Sequence, residues 1–148
     1  MVKKIGIVLL IVLVLFGSCQ NPVSESDTAL SPFVGTWTDT DGDMTLTVRI
    51  KAKSFSFTAA DSHGTVHNAG SLDSTISSTE TTAEVIMKVT KAEAEGAYGT
   101  SFTEGQYWHM GLSVNGGVLT VQTASPSRAT KEEAEAADFT STGFYAKD

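Results

Sequence analysis

Met44-Thr45-Leu46-Thr47-Val48-Arg49-Ile50-Lys51 alternates apolar and polar residues without a break. Successive side chains of a β-strand point to opposite faces. The period of two therefore puts Met44, Leu46, Val48 and Ile50 on one buried face and the polar residues on the other. A helical period of 3.6 would scatter the same residues around a cylinder. Just upstream, Asp39-Thr40-Asp41-Gly42-Asp43 reads as a turn, because Asp-Gly suits the left-handed backbone of a tight hairpin.

The same alternation recurs along the chain. Residues 53–59 bring Phe55 and Phe57 to one face, and residues 65–72 form a weaker strand. Residues 83–89 align Val85, Met87 and Val89, and residues 106–114 align Trp108, Met110, Leu112 and Val114. Asn115-Gly116-Gly117 is a strong hairpin signal leading into a strand over 118–123. A last strand covers 140–146. With residues 34–39 as the first, eight one-faced strands follow one another, joined mostly by short turns. They predict an all-β domain, a small antiparallel up-and-down barrel filled by side chains or one small ligand. An open sandwich is the alternative. Residues 130–137 break the pattern as one short helix before the last strand. Thr130 and Glu133 form a capping box there, and Glu132-Glu133 suit the positive helix start.

The N-terminus has a different character. Lys3 and Lys4 precede an apolar run over 5–16, interrupted only by Gly6, and the small residues Gly17 and Ser18 lead to Cys19. That order is a secretory signal peptide. A membrane-spanning helix needs roughly 20 apolar residues, more than this run supplies. Leu15-Phe16-Gly17-Ser18-Cys19 resembles the lipobox of bacterial lipoproteins. That family prefers Leu three residues before the cysteine and Gly or Ala directly before it, where Phe16 and Ser18 stand here. The resemblance implies a diacylglycerol on the sulfur of Cys19, cleavage just before it, and acylation of the new amino group. Several acyl chains, at about 0.8 kcal/mol per buried CH₂, hold a protein firmly on a bilayer. A bacterial membrane, reached through the lipid on Cys19, is thus the first expected partner. Gln20 occupies the place where Asp signals inner-membrane retention in enteric lipoproteins, so the resemblance favours an extracytoplasmic position at the outer membrane.

The expected organisation is a signal peptide over 1–18, a lipidated cysteine and flexible tether over 19–32, and a barrel domain over 33–148. The tether is polar and carries two prolines; its extended reach is about 40 Å at roughly 3.3 Å per residue. The net charge is −7. Loss of Lys3 and Lys4 with the signal peptide leaves eight basic against seventeen acidic residues, or −9. Such a surface repels nucleic acid and anionic headgroups, which removes both as partners. Cys19 is the single cysteine, so once acylated it leaves no thiol for a disulfide, and stability must come from the core.

Phe33-Val34-Gly35-Thr36-Trp37 opens the first strand. Gly-x-Trp at this place in a small exported barrel resembles the lipocalin and wider calycin signature. The resemblance implies that Trp37 packs across a closed end, that Gly35 lets the chain turn into the strand, and that the interior takes a small apolar ligand. That family also stacks an arginine near the last strand on the Trp; Arg128, ahead of the helix, is no clear counterpart.

Residues that suggest chemistry each have a plainer explanation. Asp39, Asp41 and Asp43 alternate like calcium ligands, but Met44 and Ile50 stand where an EF-hand needs Gly and Glu, which leaves an acidic solvated hairpin. His63, His67 and His109 are the only histidines, and His63 falls in the Asp61-Ser62-His63-Gly64 turn. Zinc normally takes three or four ligands, so neither metal nor cofactor is expected. Neither a Gly-x-Ser-x-Gly elbow nor a phosphate-cradling loop occurs, and the expectation is a protein that is not an enzyme. Tyr107 and His109 lie opposite Trp108 in the alternation and are expected at the outer surface.

Trp37, Phe55, Phe57, Met87, Trp108 and Met110 can be read in two ways. They line a pocket for an apolar ligand, or they fill the core. A domain of this size needs most of them for stability, so any cavity should be small. The expected function is a non-enzymatic binding module for a small apolar ligand. The alternative is a structural or surface-interaction lipoprotein with a filled barrel, meeting a protein partner through a loop over 91–104 that carries Tyr98 and Phe102.

Overall fold

The computed structural model describes residues 28–148; Cys19, the expected signal peptide and most of the expected tether lie outside the described residues. Eight strands follow in chain order: β1 (Gly35–Asp41), β2 (Met44–Lys51), β3 (Ser54–Asp61), β4 (Gly64–Ser78), β5 (Thr82–Gly96), β6 (Tyr107–Asn115), β7 (Val118–Thr123) and β8 (Ser141–Lys147). Each pairs antiparallel with the next and β8 returns to β1, closing an up-and-down barrel. One short helix, α1 (Lys131–Glu135), precedes β8 and carries the expected Thr130–Glu133 capping box.

The alternation in β2 determines what faces inward. Val48 and Ile50 are buried and stand opposite Phe57 and Phe55 of β3, while Trp37 of β1 stands opposite Val48 on the other side. The turn before β2 is shorter than the acidic stretch predicted. β1 continues through Asp41, and Gly42-Asp43 alone makes the reversal, with φ of +65° at Gly42. Gly116 and Gly117 both adopt left-handed backbone, at +56° and +81°, as the favoured two-residue hairpin turn requires.

β4 and β5 run 15 residues each, far past the expected ends at 72 and 89. Residues 54–61 of β3 pair with 64–71 of β4, and only 82–88 of β5 pair with β6, yet β4 and β5 pair with each other from end to end. This offset is the stagger that closure of a tilted sheet demands. The outer halves, rich in Ser, Thr, Lys, Ala and Glu, have a strand neighbour on one side only and need no continuous apolar face. Their sequence therefore carries little strand signal. Residues 91–96, expected within an interaction loop, are strand.

The two ends of the barrel differ. A short 3-10 helix (Ser31–Phe33) seals one of them, with Leu30 and Phe33 fully buried and Ala29 nearly so. Ala29 and Leu30, within the stretch 19–32 expected as a tether, belong to the core despite their polar flanks; residues 19–27 of that stretch lie outside the described residues. Trp37 Nε1 donates to the Phe33 carbonyl at 2.9 Å, and the Lys147 ammonium stands 5.3 Å from the centre of the Trp37 ring. At the opposite end lie the tight turns 42–43 and 62–63 and the two long connections, 97–106 and 124–140.

Candidate functional site

A cavity of about 180 Å³ sits inside the barrel toward the end with the long connections. Phe55 and Phe57 of β3, Trp108 of β6, Val121 of β7 and Tyr145 of β8 make its apolar wall, with Asn68 of β4 among them. Thr123, Ser125 and Ser141 add hydroxyls from β7, the chain beyond it and the start of β8. Phe102 reaches it from the 97–106 connection. Trp108 meets Phe55 edge-on, with centroids 5.3 Å apart and planes at 86°, and meets Phe102 at 4.5 Å and 51°. Both separations fall in the favourable range for aromatic pairs.

The 97–106 connection is held in place by hydrogen bonds to β4 and to the 124–140 connection. Thr100 Oγ1 donates to Asn68 Oδ1 at 2.8 Å and accepts from the Phe102 amide at 3.2 Å. Ser127 Oγ accepts from the Thr103 amide at 2.9 Å and donates to Gln106 Oε1 at 2.7 Å. Phe102 is thereby set against Trp108. Tyr98 is half-buried as well, its hydroxyl donating to the Asp61 carboxylate. Tyr98 and Phe102, the aromatics of the 91–104 stretch offered for a protein partner, are thus both half-buried and engaged with the barrel.

Among the described residues, no Lys, Arg, His, Asp or Glu lines this cavity. Trp108 is 3% exposed, and its Nε1 has no hydrogen-bond partner among the described residues. Burial pushes the Tyr145 phenol above its ordinary pKa, with the charge of Asp39 adding to the effect, so it stays a neutral O–H. Tyr145 lies over Gly143 so closely that a Cβ there would sit 2.4 Å from its hydroxyl.

Of the six residues expected around a ligand, Phe55, Phe57 and Trp108 line the cavity. Trp37, Met87 and Met110 do not: all three are buried in the core, and Trp37 belongs to the sealed end. Alternation identifies which side chains point inward, but not how far along the barrel axis each lies, and that height separates lining from packing. Tyr145 also lines the cavity, and its inward position follows from the alternation of the last strand. Asn68, Thr123, Ser125 and Ser141 carry no sequence signal of their own.

His109 corrects another expectation. It points outward from β6, yet it is only 5% exposed, because residues 137–139 lie across it. Its Nδ1 is 2.9 Å from the Ala137 carbonyl, its Nε2 is 2.8 Å from Glu84 Oε1, and Phe139 stacks at 4.5 Å. Gly111 makes room, since a Cβ there would meet the Phe139 ring at 3.0 Å. His67 also faces outward, with Nδ1 2.8 Å from Thr58 Oγ1.

The turn residues cluster differently from the expected Asp39, Asp41 and Asp43 series. Asp43 comes together with Asp61 and His63, one ligand atom from each lying within 4.8 Å of the others. Asp61 is already engaged, accepting from Tyr98 and from the amides of His63 and Gly64 at 2.7 and 3.1 Å. The Tyr98 hydrogen bond is the main cause that holds its carboxyl below the usual range, against a smaller desolvation effect.

No family model, curated protein or solved structure matches the chain. Among the described residues no helix is long and apolar enough to cross a membrane.

Proposed function

We propose that this chain is a membrane-anchored, extracytoplasmic lipoprotein whose barrel binds a small apolar molecule without transforming it. The cavity walled by Phe55, Phe57, Phe102, Trp108 and Tyr145 carries this reading. Aromatic walls with a few convergent polar groups are the usual make-up of a small-molecule site. Its volume of about 180 Å³ exceeds the roughly 150 Å³ that admits benzene into an engineered apolar cavity. It falls short of the roughly 300–1,000 Å³ of drug-sized pockets. The lipobox-like stretch ending at Cys19 supports the anchor, and the Gly35-x-Trp37 opening supports a lipocalin-like carrier or sensor.

Native mass spectrometry of the full-length protein, expressed in a bacterial host and released from mild detergent, tests both halves. A chain beginning at Cys19 with acyl additions is the expected mass, together with a small adduct that is lost on unfolding. A chain that keeps residues 1–18 would overturn the anchor. A bare barrel that also ignores a panel of small aromatic compounds would overturn the carrier.

A second reading, a surface-interaction lipoprotein, draws on the outer face of β7 and β8. Phe144 is 60% exposed there, beside the outward-facing Val118 and Ala146. It becomes the better account if the cavity takes nothing.

A further inference from the structure

We infer that the occupant of the Trp108 cavity is an uncharged, single-ring molecule bearing one hydrogen-bond acceptor, and that the Trp108 indole N–H selects it. The inference rests on the binding role proposed above and narrows it to a ligand class.

Size sets the first limit. A space of about 180 Å³ accepts one ring and a small substituent, whereas a long acyl chain does not fit within it. Charge sets the second. The lining offers neither a cationic nor an anionic side chain, so a carboxylate inside would be desolvated without a partner. The chain's net charge of −7 further lowers the local concentration of anions. An ammonium group would find aromatic faces, but it brings only donors to a lining whose unmet need is for an acceptor.

Trp108 defines that need. Among the described residues three buried side-chain polar atoms have no partner: Ser74 Oγ, Thr75 Oγ1 and Trp108 Nε1. Only Trp108 belongs to the cavity lining. A buried donor left unsatisfied carries the full cost of its lost hydration, which an incoming acceptor removes. Phe102 packs on the indole from a connection rather than from a strand, so in this proposal its ring is the neighbour that gives way to an acceptor, while Phe55 and Trp108 keep their places on the barrel.

The test uses the full chain in lipid nanodiscs, ¹⁵N-labelled at tryptophan, titrated separately with acetophenone, ethylbenzene and benzoate. The sequence has two tryptophans, giving two indole N–H signals. Trp37, already bonded to Phe33 at the sealed end, is the internal reference. Acetophenone is expected to bind about tenfold more tightly than ethylbenzene, as one satisfied hydrogen bond would give, and to move the Trp108 signal downfield. Benzoate is expected not to bind. Trp108→Phe keeps a ring but loses the donor. It should bring the two neutral probes within about threefold of each other, and an unmoved Trp37 signal certifies that the barrel is folded. Partition into lipid cancels in the comparison of the two proteins.

Equal affinities for acetophenone and ethylbenzene in the unsubstituted protein, or saturable binding of benzoate, would overturn this inference and leave the binding role intact. If none of the three probes disturbs Trp108, the binding role itself fails with it.

Discussion

The Lys147 ammonium stands over the indole of Trp37, 5.3 Å from its centre, where β8 meets β1 and the barrel closes. That seam is short: Trp37 pairs with Lys147 and Thr38 with Ala146, and the Asp148 amide donates to the Thr36 carbonyl at 3.2 Å. The aliphatic stem of Lys147 also touches the space beside Gly35, where a Cβ would lie 3.3 Å from its Cε. Lys147 thus places a cation over Trp37 from the last strand itself. Arg128 pairs with Tyr107 and donates to the Pro126 carbonyl at 2.7 Å.

Replacing Lys147 with Ala should destabilise the barrel by about 0.5–1 kcal/mol, the usual size of an exposed cation–π contact. A urea midpoint compared with that of the unsubstituted protein reads it. An unchanged midpoint would mean that the seam depends on its backbone pairing alone.

Gly143→Ala should be costlier. The added Cβ would stand 2.4 Å from the Tyr145 hydroxyl and force that ring out of the cavity, with a loss of about 1–3 kcal/mol, typical of overpacking. Released from burial, the phenol should also titrate closer to its ordinary pKa. Ultraviolet difference titration against Tyr145→Phe identifies its contribution. A titration curve unaltered by Gly143→Ala would mean that Tyr145 accommodates the methyl without moving.

His109→Ala removes the side chain that joins β5, β6 and the chain beyond α1. The Ala137 carbonyl loses its partner and Phe139 its stacking surface, so a loss of about 1–3 kcal/mol is expected. Amide hydrogen exchange should quicken across residues 130–140 while β2 and β3 keep their protection. Uniform quickening would show that the clamp supports the whole barrel and not this segment alone.

Asp61 gives a pH dependence whose sign follows from its partners. Its folded pKa lies below the unfolded value, chiefly through the hydrogen bond from Tyr98. Its contribution to stability is therefore complete above about pH 3.9, the ordinary aspartate value, and fades as pH falls through the lower folded value. Tyr98→Phe removes the main cause of the shift. The gap in urea midpoint between pH 7 and pH 3 should narrow in that variant and in Asp61→Asn. Parallel pH profiles for all three proteins would show that this pair does not contribute to the acid response.

The strand register illustrates where sequence is informative. Each inward position of β2 is legible because burial on one face and water on the other impose a period of two. The outer halves of β4 and β5 are not, because 73–78 and 90–96 have a strand neighbour on one side only, bulges interrupt their pairing, and little more than Ala92 packs from them against the core. Ile86 shows the opposite problem. It points outward in the alternation of β5, yet it is fully buried, because α1 packs over the outside of β5 and β6.

The sequence by itself determined the all-β class, the number and order of the strands, the left-handed Gly116-Gly117 turn and the capped helix before the last strand. Each follows from contacts within a few residues, or from an alternation that one buried face imposes. Only the tertiary structure decided which inward residues line a cavity and which seal or fill the barrel. It set Phe102 over Trp108, Lys147 over Trp37 and residues 137–139 over His109. Apart from Phe102 and Trp108, these partners lie far apart along the chain. Their meeting depends on barrel stagger and on where the long connections come to rest, and neither leaves a periodic trace in the residues themselves.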